Sequence, residues 1–168
     1  MTVETIIEVP VRRHVLVSDR PFADVLAAVN QGIGRPDMQA LVTALESSGF
    51  STQFSALAQQ AKGSTDLYRF LEIPLDVALD ADPASAGKGR LVRLIAGNPV
   101  TMSQMAQHVA DTGSYAPITI LIQELPGEGT RVAYDTMASA LAPYRNEAAS
   151  KVAESLDGEV LGLLRQAT

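Results

Sequence analysis

Five side chains in this sequence are of a type and spacing that could do chemistry: Asn98, His108, Tyr115, Tyr134 and Asp135. Gly97-Asn98-Pro99 precedes a stretch of helical character, so free backbone amides and the positive end of a helix dipole would face whatever sits there. A carboxylate or phosphate would be stabilised at such a place. The same tripeptide also reads as a turn that reverses the chain after a strand, with Gly and Asn supplying the backbone angles. His108 lies three residues before Asp111, a helical spacing at which a carboxylate could hold the imidazole as a base or an iron ligand. A partly exposed histidine near a helix end, where the dipole favours its cation, fits the same pattern. Tyr115, Tyr134 and Asp135 would meet at one end of a hairpin, where two hydroxyls and a carboxylate could orient a small polar ligand. They could equally cap the hairpin and the helix after it, Asp135 serving as the N-cap.

Other combinations fail on spacing. In Gly87-Lys88-Gly89 the lysine is followed by Gly and then Arg, whereas a phosphate-binding P-loop needs Ser or Thr next, and no G-x-G-x-x-G follows a strand. Ser114 and Ser139 lack the strand–Gly-x-Ser-x-Gly–helix setting of a hydrolase nucleophile. Asp76, Asp80 and Asp82 do not match a calcium loop. Met102 and Met105 could line a haem or hydrophobic ligand box, but a methionine stripe on a short amphipathic helix more often fills a core. With no Cys and only two histidines, far apart, thiolate sites, disulfides and iron–sulfur clusters are excluded and a metal centre has little to draw on. No cofactor is expected.

Composition narrows the partners. The 168 residues are 46% hydrophobic and 19% charged, as in an ordinary globular protein able to bury one core, so one domain over residues 1–168 is expected. A net charge of −6 repels phosphate backbones and anionic membranes, and the basic residues are dispersed, so neither nucleic acid nor membrane is expected as a partner. Aromatic residues are only 5%, too sparse for a base-stacking surface. Acidic residues near the N-terminus and an apolar run broken at Glu8 and Pro10 argue against a signal peptide, and no apolar run could span a bilayer. Together these features point to a cytoplasmic location.

The elements that must position the five side chains can be read from periodicity. Residues 3–17 are rich in β-branched side chains and should be extended, with a bend or break at Pro10. Helices are expected after Ser18–Pro21, through Phe22, Val25, Leu26 and Val29 to Gly32 or Gly34, and after Arg35-Pro36-Asp37 to about Gly49. Residues 50–65 are ambiguous, with a short helix closing near Gly63. Leu67–Ile73 is a strand candidate with Leu67, Leu71 and Ile73 on one face, the pentad after Pro74 is a candidate helical turn, and residues 80–90 form a loop. Val92, Leu94 and Ala96 alternate in a strand that Gly97-Asn98-Pro99 ends. Thr101 and Gln104 match a capping box for the next helix, which carries Met102, Met105, Ala106 and Val109. Ile118, Ile120 and Ile122 mark the strongest strand, joined by a Pro126–Gly129 turn to Thr130–Asp135 in a hairpin. The chain from Pro143 onward is a helix with Val152, Leu156, Val160, Leu163 and Leu164 in one stripe, open to a split at Gly158. Short strands and helices in alternation, closed by a hairpin, favour an α+β two-layer fold.

Arg13-His14-Val15 ahead of Pro21-Phe22, RLVRLIAGNP at 90–99, YAPITILIQE at 115–124 and TRVAYD at 130–135 together resemble the domain-of-unknown-function 302 family, over roughly residue 10 to the C-terminus. The resemblance implies an α+β sandwich, an antiparallel sheet with helices on one face, and pairing as homodimers through sheet or helix surfaces. It carries no activity, substrate or cofactor. The leading functional expectation is therefore a non-enzymatic module whose sheet–helix crevice holds a small ligand, with the five residues above at the site. The alternatives are a cofactor-free isomerase or hydrolase with His108 or Asp135 as general base and a tyrosine as donor, and haem or metal binding through His108.

Overall fold

Alternating apolar residues build one antiparallel sheet in the computed structural model, which describes residues 1–48, 63–79 and 87–168. The strands are β1 (Arg13–Ser18), β2 (Tyr68–Pro74), β3 (Leu91–Gly97), β4 (Ile118–Leu125) and β5 (Gly129–Asp135), side by side in the order β1-β5-β4-β3-β2. The helices are α1 (Phe22–Gly32), α2 (Met38–Ser48), α3 (Asp76–Leu79), α4 (Pro99–Ala106), α5 (Met137–Leu141) and α6 (Glu147–Ala167), with short 3-10 turns at Ala110–Ser114 and Ala142–Tyr144.

Because side chains alternate along a strand, one face of the sheet receives Val92, Leu94 and Ala96 of β3, Ile118, Ile120 and Ile122 of β4, and Val132 and Tyr134 of β5, all buried. On that face they join Val25 and Val29 of α1, Met105 of α4, Leu141 of α5 and Leu156, Val160 and Leu164 of α6 in a single core. The result is an α+β fold of two layers, as the alternation of the sequence implies. The hairpin between β4 and β5 closes tightly because Gly129 adopts a φ of 101°, and a Cβ there would sit 2.1 Å from the Ser18 carbonyl oxygen. The far end of α6 is tied to the edge strand, where the Ser18 hydroxyl donates to the Thr168 carbonyl at 2.6 Å.

Several expectations are corrected. β1 starts at Arg13, after the break expected at Pro10, and residues 1–12 are largely exposed and pair with no strand, so the β-branched run ahead of Pro10 is not part of the sheet. No partner strand is available to it beside β1 within the described chain. A register shift between Arg69 and Leu71 breaks the alternation expected of β2, so Leu67 is buried while Leu71 is 53% exposed. α4 starts earlier than a Thr101–Gln104 capping box requires: its first residue is Pro99 and its N-cap is Asn98. α6 runs unbroken through Gly158, because it gains packing along its apolar stripe that outweighs one glycine's cost of about 1 kcal/mol. Its start is fixed by Asn146, whose side chain accepts from the Ala149 amide at 3.0 Å. The short helix expected to close near Gly63 falls largely at 49–62, and much of the 80–90 loop at 80–86; both lie outside the described residues.

Candidate functional site

The sheet–helix boundary opens into a crevice of about 260 Å³ at the end of β3. Its position follows from local chemistry. Gly97 ends β3, Asn98 caps α4 by accepting from the Val100 amide at 2.9 Å, and Pro99 needs no amide partner in the first turn. The Asn98 amide group also donates to the Asp66 carbonyl at 2.9 Å, pinning the turn to the segment before β2. α4 is thereby held over the sheet end with Met102 and Met105 facing the crevice. Opposite stand Pro117, which follows a cis peptide bond, and Ile118; Phe70 of β2 and Leu156 of α6 complete the walls. Gly97 matters for its lack of a side chain, since a Cβ would lie 3.2 Å from the Phe70 ring and 3.3 Å from Pro117. The polar side chains on this lining are Asn98 and Thr101, both at the start of α4.

The five sequence candidates are dispersed around this end of the molecule and do not form one cluster. Asn98 alone of them lines the crevice. Tyr134 and Asp135 are consecutive on β5 and so point to opposite faces, which separates the pair expected to converge with Tyr115. Tyr134 is buried in the core, 1% exposed, and its hydroxyl donates to the Asp157 carboxyl at 2.6 Å. Burial first, and the Asp157 carboxyl second, push that hydroxyl's pKa well above the ordinary tyrosine range. Asp135 turns to the other face and takes a two-pronged hydrogen bond from the Arg13 guanidinium at 2.6 and 2.7 Å. The guanidinium hydrogen bond holds this carboxyl below its usual value despite some burial. Asp135 is not the N-cap of α5; that residue is Thr136, whose side chain makes no cap bond, and the amides of Met137 and Ala138 donate instead to Asp157 at 2.8 and 2.9 Å.

Tyr115 is half-buried and meets Tyr144 hydroxyl to hydroxyl at 2.9 Å, with the rings edge to face at 6.4 Å. That bond is the main reason the Tyr144 hydroxyl is pushed upward, with Asp111 adding to it. Tyr115 and Asp135 do share the lining of a smaller cavity of about 190 Å³ beside Val11 and Met137. His108 sits beyond the last residue of α4 and is exposed, and no ion pair joins it to Asp111 among the described residues. No group of three or more potential metal ligands lies together among the described residues, and no helix among them is long and apolar enough to cross a membrane.

Sequence reasoning missed Phe70, Pro117 and Leu156 as walls of the crevice, and Asp157 altogether. Leu156 and Phe70 were visible only as apolar residues of their own elements. Asp157 had a signal: a carboxylate beside Leu156 and three residues before Val160, on the apolar side of an amphipathic helix, must find partners or stay out of the core.

None of the curated proteins matches the chain. Among solved structures, the crystal structure of an uncharacterised conserved DUF302 protein from Bacillus stearothermophilus is similar in fold, with a TM-score of 0.62 at 10% sequence identity over 93% of this chain and 98% of that one. The sequence model of a family described as domain of unknown function DUF302 matches residues 70–166, more than half of the chain and a stretch that includes every wall of the crevice. The chain therefore belongs to the DUF302 family.

Proposed function

We propose that this protein is a non-enzymatic binding module, acting as a homodimer in the cytoplasm, that takes a small uncharged apolar ligand in the crevice beneath α4. The observation that carries this reading is the crevice itself: a cavity of about 260 Å³ walled by Phe70, Met102, Met105, Pro117, Ile118 and Leu156. An apolar cavity of about 150 Å³ already admits benzene, so a two-ring hydrocarbon or a medium-length acyl chain is the matching size class. A charged group there would lose its hydration with no ion-pair partner along the lining, which favours a neutral ligand. Asn98 and Thr101 could meet one polar end of such a molecule, though the Asn98 side chain is already engaged at both ends.

The methionines supply the test. Of five in the chain, Met102 and Met105 line the crevice, so methyl-labelled methionine resonances should report its occupancy. Titration with naphthalene or 1-octanol should shift these two methyls selectively, with a dissociation constant on the order of 10–100 μM for a ligand of this size. Gly97→Val, which intrudes on Phe70 and Pro117, should abolish the shifts in a protein that still folds. Unmoved Met102 and Met105 signals at saturating ligand would sink the proposal.

The catalytic alternative has weaker support. Asp135 is committed to Arg13 and its lowered pKa makes it a poor proton acceptor, while His108 lines none of the cavities described above. Haem or metal binding through His108 rests on that single exposed imidazole.

A further inference from the structure

The two faces of the sheet differ in what covers them. Core-forming helices lie against one; on the other, Val15, Val17 and Leu71 are 47%, 64% and 53% exposed. By strand register, this open face also carries Leu121, and the arginines Arg13, Arg93 and Arg131. Among the described strand residues its one carboxylate is Asp135, which is bonded to Arg13. Arg93 donates to the Thr119 hydroxyl at 3.2 Å, and neither it nor Arg131 forms an ion pair among the described residues. A basic, apolar surface thus sits on a chain whose net charge is −6. Between Arg93, Leu121 and Ala133, and walled also by Leu75 and the Arg13–Asp135 pair, lies a depression of about 260 Å³.

The segment Met1–Pro10 has the complementary character. It contains Val3, Ile6, Ile7 and Val9, two carboxylates at Glu4 and Glu8, and no Lys or Arg. Val3 and Ile6 are 84% and 83% exposed. The chain is first anchored at Arg12, whose amide donates to the Ser139 hydroxyl at 2.9 Å and whose carbonyl accepts from the Thr136 amide at 3.0 Å. These bonds hold the arm's root at the α5 end of the sheet, and the arm leaves its own open face uncovered, since Val15 and Val17 there are exposed along with Val3 and Ile6. Extended, ten residues reach about 33 Å, more than the roughly 20 Å across five strands.

We propose that two copies of this chain exchange these arms, Met1–Pro10 of each lying across the open sheet face of the other. In an extended arm Glu4, Ile6 and Glu8 point the same way, with the two carboxylate positions about 13 Å apart. The strand positions of Arg93 and Arg131, two strands and two residues apart by register, are separated by about 12 Å. Glu4 and Glu8 then meet the two arginines, and Ile6 falls between them over Leu121. The partner is identified by charge: a face with two unpaired arginines repels its own copy in another chain but fits this acidic, β-branched segment.

This inference rests on the homodimer reading, and its test separates the two. The chain has no Cys, so Ile6→Cys and Leu121→Cys, each made singly and confirmed folded by circular dichroism, can be mixed and oxidised. The mixed disulfide should exceed both symmetric ones by mass spectrometry. In parallel, the dimer dissociation constant of the full chain should rise at least tenfold in Glu4→Arg/Glu8→Arg, measured by sedimentation. If the parent dimerises but the reversed arm changes nothing and no mixed disulfide forms, arm exchange is overturned and the homodimer stands. If the parent sediments as a monomer at about 100 μM, where a dimer with a dissociation constant of micromolar order would be nearly fully formed, both are overturned.

Discussion

Tyr134 and Asp135 are adjacent in sequence, yet one belongs to the helix-covered face of the sheet and the other to the open face, and each carries a polar group to its own environment. On the covered face the Tyr134 hydroxyl is sealed in the core, so it must be hydrogen-bonded, and Asp157 answers it. Asp157 also takes the Met137 and Ala138 amides, so one buried carboxyl satisfies three donors and starts α5 from across the helical layer. On the open face Asp135 meets Arg13 across the edge strand with both groups well exposed. The covered network has no water to fall back on; the open pair has water on both partners. A similar bond count thus has unequal consequences, set by burial.

The contrast is broken most directly at Asp157. Asp157→Ala should leave three donors, two of them buried, without an acceptor and cost about 3 kcal/mol or more, a large part of a typical domain's 5–15 kcal/mol. Urea denaturation with an unchanged m-value would measure it, and a loss below about 1 kcal/mol would show that the network is not structural.

A gentler probe of the same network is Tyr134→Phe, which keeps the ring in the core and leaves Asp157 its two amides. The expected loss is about 1–2 kcal/mol. It carries a pH signature. The hydroxyl's folded pKa lies above its ordinary value of 10.0, so its contribution is intact below that pH. The contribution is lost as pH rises from there toward the folded value, because only the unfolded chain releases the proton. The parent should therefore weaken more steeply than Tyr134→Phe above pH 10 or so, in denaturation midpoints taken across that range.

Thr112 sharpens the comparison from the opposite direction. It is fully buried, and its hydroxyl has no hydrogen-bond partner among the described residues. Thr112→Val removes that group at constant shape and should be neutral or stabilise by up to about 1 kcal/mol. A clear loss in the melting temperature would mean that the hydroxyl has a partner after all.

The smallest effect belongs to Asp135→Asn. Its folded pKa is lowered from 3.8 by the Arg13 hydrogen bond, so whatever stability it confers is present above that value and lost as pH falls through the lowered one. The substitution should leave the midpoint at neutral pH nearly unchanged and slightly flatten the acid limb. A large loss at neutral pH, insensitive to salt, would contradict the exposed character of the pair.

How much of this was legible beforehand depends on the range over which each feature is encoded. Strict alternation at Ile118, Ile120 and Ile122 and at Val92, Leu94 and Ala96 assigned the core face of two strands, and the structure buries all six. The same alternation separates Tyr134 from Asp135, so expecting them to converge overlooked a rule that was in hand. Gly97-Asn98-Pro99 was legible as the end of a strand and the start of a helix, because a cap and its helix are contiguous. The break in β2 was not, since a register shift is decided by the neighbouring strand.

By itself, then, the sequence determined the alternation that sorts strand residues between two faces, the turns at Gly97–Pro99 and Pro126–Gly129, and the amphipathic stripe of α6, each set by backbone preferences and side-chain period within a few residues. Tertiary structure alone decided the crevice and the Asp157 network. The walls of the first come from four separate stretches between Phe70 and Leu156, and the donors of the second lie 19–23 residues from their acceptor. Neither has a local period to reveal it: a cavity exists only where packed surfaces fail to meet, and a buried carboxyl is tolerated only where distant donors happen to arrive.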